Sequence, residues 1–261
     1  MRVLPWLAKI SFAALVVAAL VGAIAAFGTR TGFWDYHFGL FVLFPWCVYA
    51  GLLGFGCGLV WALWAIVVNR GDAARYGVTG LLGSALLIAM PLYRYASAQS
   101  LPAIHDISTD VEHPPAFVAL LALRDKSAGH VPVNPPEYDG PKPAKGPDGK
   151  TAATAALQKK YYPEIRQRAD LTSPGQLFER AVKAADRMGW DVVAIAPKEG
   201  RIEATDTSFW FGLTDDIVIR VRPAGVGARL DIRSKSRLGQ NDLGRNAASI
   251  RSFMKTLSNT D

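Results

Sequence analysis

"DIVIRVRPAGVGARLDIR", residues 216–233, alternates apolar and charged side chains on both sides of a proline- and glycine-rich turn. Alternation marks a half-buried strand, because successive side chains point to opposite faces. Two such runs around one short turn make an antiparallel hairpin. Ile217, Ile219, Val221, Leu230 and Ile232 form its inward row. Arg220, Arg222, Arg229, Asp231 and Arg233 form the outward row, joined by Glu203, Thr205 and Thr207 from the preceding strand.

Reading outward from the hairpin, strands are expected near 190–196, 201–209, 216–222 and 228–234, with the turns "PKEG", "GLTD" and "PAGVG" between them. Alternation fails after Asp206, where "SFWF" at 208–211 sets three aromatics together, so a bulge or a strand end is expected there. Before the strands, "SPGQ" at 173–176 offers Ser173 as N-cap, Pro174 at the first helical position and Gln176 to close a capping box. Leu177, Phe178, Ala181, Val182, Ala185 and Met188 share one face of that helix, and Gly189 ends it. A last helix is expected over about 242–257, with Leu243, Ala247, Ile250, Met254 and Leu257 on one stripe. The soluble part is therefore α+β, an antiparallel four-stranded meander flanked by two helices.

Residues 1–93 have a different composition. Their only charges are Arg2, Lys9, Arg30, Asp35, Arg70, Asp72 and Arg75. Apolar runs at 10–27, 39–68 and 77–93 approach or exceed the about 20 residues that cross a bilayer as a helix. A cleaved signal peptide is the competing reading of the first run, since "AIA" at 23–25 resembles a cleavage site. That run is longer than a signal's apolar core, and two more follow it. The expected organisation is a transmembrane region over 1–93, an extended wrapping segment over 94–172 and an α+β core over 173–261.

With a cytoplasmic N terminus, Arg2, Lys9, Arg70 and Arg75 lie inside against Arg30 and Arg94 outside. Residues 94–261 then face the periplasm, and the expected location is a bacterial inner membrane crossed several times. Cys47 and Cys57 both fall in the second span, so no disulfide framework supports the soluble part. The net charge of +7 fits anionic lipid headgroups better than nucleic acid in that compartment.

In the second span, Ala50, Gly54 and Gly58 recur every four residues, a small-residue stripe suited to close helix packing, within the chain or with a membrane-protein partner. No ionisable side chain lies inside a span, which argues against an ion path. "GHVPVNPPEYDGPKPAKGPDGK" at 129–150 is too polar and proline-rich to fold alone and reads as a surface excursion.

Three features carry candidate chemistry. Arg237 and Arg245 flank the start of the last helix, where N–H groups favour an anion, although a turn capped by Asn241 or Asp242 explains the same residues. Arg220, Arg222 and Arg233 with Asp231 could grip a carboxylate or phosphate on the outer sheet face. Alternatively they form wet surface pairs, or segment 100–170 covers the face and makes them internal contacts. Third, "IHDISTD" at 104–110 holds His105, Asp106 and Asp110, with His113 close behind. The spacing fits no zinc or calcium loop, and turn bonding by Asp106, Ser108 and Thr109 accounts for it. Asp215 and Asp216 are adjacent and point to opposite faces, which weakens an acid–base dyad. His105, His113 and His130 are the histidines available for a triad, and no nucleophile elbow accompanies them.

"HDISTD" with "PPAF", "YYPEI" at 161–165, "EATDTSFWFGLTDDIVIRVRP" and "RLDIRSKSRLGQNDLGRNAASIRSFM" together resemble the domain of unknown function (DUF) 1499 family, in a membrane-tethered subgroup. The resemblance implies a family domain over about 101–258 and a proline-rich connection within it. It implies no catalytic residue. The expectation is a non-catalytic protein needing no cofactor or metal, whose periplasmic domain binds an anionic or lipid-like ligand. The alternatives are an assembly scaffold working through Gly54 and Gly58 or, less favoured, a periplasmic enzyme.

Overall fold

The computed structural model describes residues 4–68, 73–126 and 133–260. Arg2 and Arg70, used above for orientation, and Asp72 and His130 lie outside them. The chain forms two compact units, residues 1–96 with 209–212, and residues 97–208 with 213–261.

The first unit holds three helices long and apolar enough to cross a membrane. They are α1 (Leu4–Arg30), a π-helical turn (Phe38–Leu43) continuing into α2 (Phe44–Val68), and α3 (Ala74–Ala98). Pro91 lies inside α3 and does not end it. A proline costs one N–H and crowds one carbonyl, and membrane helices absorb that loss through their neighbours. On α2 the buried stripe is Cys47, Gly51, Gly54, Gly58 and Trp61. Ala50 is only half-buried. Steps of four and three follow the 3.6-residue turn, whereas steps of four alone drift off the face.

The stripe packs the chain's own helices. A Cβ on Gly54 would lie 2.4 Å from Ser84 Oγ, and one on Gly58 would lie 2.7 Å from Ser11 Oγ and 2.8 Å from Leu81 Cβ. Ser11 Oγ donates 2.6 Å to the Gly54 carbonyl, tying α1 to α2.

In the second unit the sheet has six strands instead of four. The elements, in chain order, are β1 (Asp106–Ser108), α4 (Leu121–Lys126), β2 (Pro143–Lys145), β3 (Thr151–Ala153), α5 (Thr154–Tyr161), β4 (Arg168–Asp170), α6 (Pro174–Arg187), β5 (Asp191–Ala196), β6 (Arg201–Thr207), β7 (Thr214–Ala224), β8 (Gly227–Ser236) and α7 (Arg245–Ser258). Strands β5 to β8 form the expected antiparallel meander. The two additions, β1 and β4, come from the wrapping segment, and both pair antiparallel with β8. Within the proline-rich excursion, β2 and β3 make a separate two-stranded sheet.

Helices α6 and α7 lie on one sheet face. Leu177, Phe178 and Ala181 of α6 and Ile250, Phe253 and Leu257 of α7 bury against Ile217, Ile219, Val221, Leu230 and Ile232, the inward row expected from the alternation. The Trp190 and Phe253 rings stack with centroids 5.5 Å apart. Ser173 and Gln176 complete the capping box of α6. Strand β6 stops at Thr207, so "SFWF" begins a loop. On the opposite face Val218 packs under Phe117 and Leu120, so that face is covered too.

Replacing Gly58 with leucine should destabilise the folded chain in detergent by about 1–3 kcal/mol, because Ser11 and Leu81 occupy the space. Chemical unfolding monitored by circular dichroism checks this; an unchanged midpoint would show that α2 has room there.

Candidate functional site

The outer sheet face is built by the same alternation. On β8 the residues that alternate with Leu230, Ile232 and Ser234 point away from the helices, and they are Asp231, Arg233 and Lys235. Asp231 and Lys235 have no exposed surface and Arg233 is 2% exposed. Charges this deep survive only when paired and hydrogen-bonded.

The partners come from the wrapping segment. Arg233 donates to Asp106 through Nε at 2.9 Å and Nη2 at 2.8 Å, and to the Pro136 carbonyl at 2.9 Å. Its guanidinium lies over the Phe117 ring, 4.7 Å from the centroid, and 5.4 Å from the Tyr138 centroid. Lys235 Nζ reaches Asp139 at 2.8 Å, Asp106 at 3.3 Å and the Glu137 carbonyl at 2.6 Å. The buried Glu203 carboxylate accepts the N–H groups of Val118, Ala119 and Leu120 at 2.9–3.1 Å, and Arg201 pairs with it. Segment 100–170 thus covers the face, the third of the arrangements weighed from sequence.

The other expected site residues are engaged as well. Arg220 and Arg222 share Asp231 at 2.9 and 2.8 Å and approach Asp110 at 3.3 and 3.4 Å. Arg220 also donates to the His113 carbonyl at 2.7 Å. Arg237 grips Asp216 through Nε at 3.0 Å and Nη2 at 2.8 Å, and Arg124 pairs with the same carboxylate. Arg245 lies 3.1 Å from both Asp206 and Asp215. Asp215 and Asp216 point to opposite sides, as adjacent strand residues must.

"IHDISTD" divides differently from the turn expected. Asp110 accepts the His113 N–H at 2.8 Å and the Glu112 N–H at 3.2 Å, which is turn bonding. Asp106 sits on β1, where pairing with β8 aims its carboxylate at Arg233 and Lys235. His105 Nε2 lies 3.0 Å from Asp139 Oδ2, and Nδ1 lies 3.3 Å from the Gln240 carbonyl. Both ring nitrogens face oxygens of the protein itself, which leaves neither aimed at a substrate. Among the described residues no group of three His, Cys, Asp or Glu is placed to hold a metal.

Lys235, Arg124 and Asp139 are site residues that sequence reasoning missed. Lys235 was within reach, since the alternation of β8 runs two residues past Arg233. Asp139 and Arg124 lie in a loop and a short helix with no periodicity to mark them.

Among the described residues, concavities open on two sides of this unit, among others. One of about 710 Å³ runs beside α6, lined by Phe178, Val182, Lys183, Ile195, Lys198 and Val221. Another, about 480 Å³, is lined by His105, Asn134, Asp139, Lys142, Lys145 and Gln240. Burial works to raise the Asp139 carboxyl, but hydrogen bonds from His105, Lys142 and Lys235 outweigh it and hold the group well below the usual carboxylate range. Burial pulls Lys235 down and pushes the Tyr138 hydroxyl up.

A family model described as "Protein of unknown function (DUF1499)" matches residues 106–257, more than half of the chain. The chain belongs to the DUF1499 family. No curated protein matches the sequence. The DUF1499 match opens on Asp106, the carboxylate that holds Arg233, and closes on Leu257, the last fully buried residue of α7. The family domain therefore includes the wrapping segment together with the meander.

Truncating one partner of a buried pair strands the other's charge. Asp106→Ala should cost about 3–5 kcal/mol, read by chemical unfolding; a loss below about 1 kcal/mol, the worth of a surface pair, would mean that Arg233 finds water. The second expectation concerns pH. Burial pushes Asp215 from 3.8 up to about 6 in spite of Arg245. Between those values the folded state keeps a proton that the unfolded chain has released, so stability falls as pH rises, by up to about 1.4 kcal/mol per pH unit. Asp242, also raised by burial, adds a slope of the same sign. Asp215→Asn should reduce the slope of melting temperature against pH between about 4 and 6; an unaltered slope would place that titration elsewhere.

Proposed function

We propose that this is a multi-pass inner-membrane protein whose DUF1499 domain lies on the periplasmic side and binds a small anionic group without catalysis. The three apolar helices and the basic residues flanking them support the membrane part and its orientation.

The reading is carried by the cavity beside His105. Lys142 and Lys145 line it, and Asp139, the carboxylate among its lining residues, is shared by Lys142 at 2.5 Å, Lys235 at 2.8 Å and His105 at 3.0 Å. Lys142 has N–H groups beyond the one aimed at Asp139, and Lys145 is exposed. A carboxylate or phosphate oxygen entering here meets Lys142 and Lys145 beside a carboxylate that Lys235 already shares. By contrast, Arg220 and Arg222 stand against Asp110 and Asp231, two charges against two, and offer a ligand no such surplus. The arginines singled out in the sequence thus brace the wall of the domain, and Arg237 and Arg245 brace its ends. A scaffold role through Gly54 and Gly58 is the weaker reading, because those glycines meet Ser11, Leu81 and Ser84 of the same chain.

The test uses the full chain in mild detergent, titrated calorimetrically with inorganic phosphate and inspected by native mass spectrometry for a retained anion. Changing Lys142 and Lys145 together to glutamine should weaken phosphate binding by about tenfold or more, each charge-assisted bond being worth about 1.5–3 kcal/mol, with little change in melting temperature. Equal affinity in the double variant, or no phosphate binding by the parent chain, would overturn the assignment.

A further inference from the structure

The loop "SFWFGL", residues 208–213, joins β6 to β7 and carries no charged side chain. Phe209 is 69% exposed and Trp210 61% exposed, and their rings meet edge-on with centroids 5.2 Å apart. A water-soluble hairpin would place polar turn residues here. The loop is also pinned closed at its base. The Ser208 N–H donates 2.8 Å to the Leu213 carbonyl, and Ser208 Oγ accepts the Leu213 N–H at 2.8 Å. Gly212, at φ +66°, turns the chain back without the penalty a side chain would carry.

The nearest cation, Arg30, donates 2.7 Å to the Phe209 carbonyl and lies 5.8 Å from the Phe209 ring centroid, and the nearest acids are masked. Arg245 lies 3.1 Å from both Asp206 and Asp215, the first acids on either side of the loop, and donates 3.1 Å to the Leu213 and Asp206 carbonyls. One arginine therefore masks the flanking carboxylates and fixes the two strand ends from which the aromatics project.

We propose that the Phe209–Trp210 tip inserts into the interfacial layer of the bilayer that the chain's own helices span, with Phe211 half-buried behind it, its ring 5.5 Å from that of Phe44. Three observations select lipid as the occupant. Tryptophan and its aromatic neighbours partition to the headgroup level, where an apolar ring and a polar N–H are both satisfied. The segment Phe209–Gly212 belongs to the same compact unit as the three apolar helices. The covalent link to those helices keeps the membrane at high effective concentration, so a tip of two exposed rings suffices where a free peripheral domain needs a second anchor. This inference does not depend on the anion site.

The test reconstitutes the full chain and its Trp210→Phe variant in phosphatidylcholine–phosphatidylglycerol vesicles, with and without bromine-labelled acyl chains. Subtracting the two emission spectra isolates Trp210 from the other tryptophans, and the conservative replacement keeps the loop apolar. Insertion predicts a roughly twofold loss of the difference emission on bromine-labelled lipid and little quenching by aqueous iodide. Emission untouched by bromine and quenched by iodide would put the tip in water. Emission untouched by either would bury it against protein, a second copy included. Either result overturns the proposal.

Discussion

The carboxylate of Asp106 is the point on which the DUF1499 domain turns. It neutralises Arg233, shares Lys235 with Asp139, and accepts the Asp139 N–H at 3.0 Å. Without it two cations on β8 would lie under the wrapping segment with half their counter-charge, a cost of several kcal/mol that apolar packing on that side, little more than Phe117, Leu120 and Val218, could not offset. The helix face of the sheet is held by ordinary apolar burial. The other face is held by charge, and the wrapping segment is attached by ion pairs and three-residue strands far more than by its own hydrophobicity.

That division explains what could be read from the sequence. The β7–β8 hairpin, the inward row and the Ser173 capping box are local patterns, set by neighbours within a few residues, and all appear where the periodicity puts them. Strand β1 is three residues long and buried on both sides, so it shows no alternation. The burial of Arg233 and Lys235 depends on acids 127 and 96 residues away. An arginine-rich strand face looks the same in sequence whether water, a ligand or another part of the chain covers it. Likewise the small-residue stripe on α2 was visible as a kind of surface, but its offset onto Gly51 follows from the pitch of the helix and from where Ile88 sits.

Charge is distributed unevenly over the domain, and the unevenness is informative. Around Asp231 cations and acids balance, and a balanced cluster serves as a rivet. Around Asp139 two lysines and a histidine converge on one carboxylate beside a cavity. Around Arg245 the reverse holds, one cation serving two acids, and there the neighbouring loop is free of charge and aromatic. The same residue types form balanced or unbalanced clusters according to local stoichiometry.

The pairing of β1 with β8 also sets an order of events during synthesis. Asp106 leaves the ribosome 127 residues before Arg233, and Asp110 leaves it 110 residues before Arg220. Until β8 emerges, these acids have no cation to meet and the wrapping segment has no sheet to lie against. The domain cannot assemble piecemeal behind its membrane helices as they are inserted. Its contacts are strongly non-local, which makes closure slow and late. For that interval some hundred residues remain unfolded beside the bilayer, dependent on whatever keeps a nascent chain from aggregating.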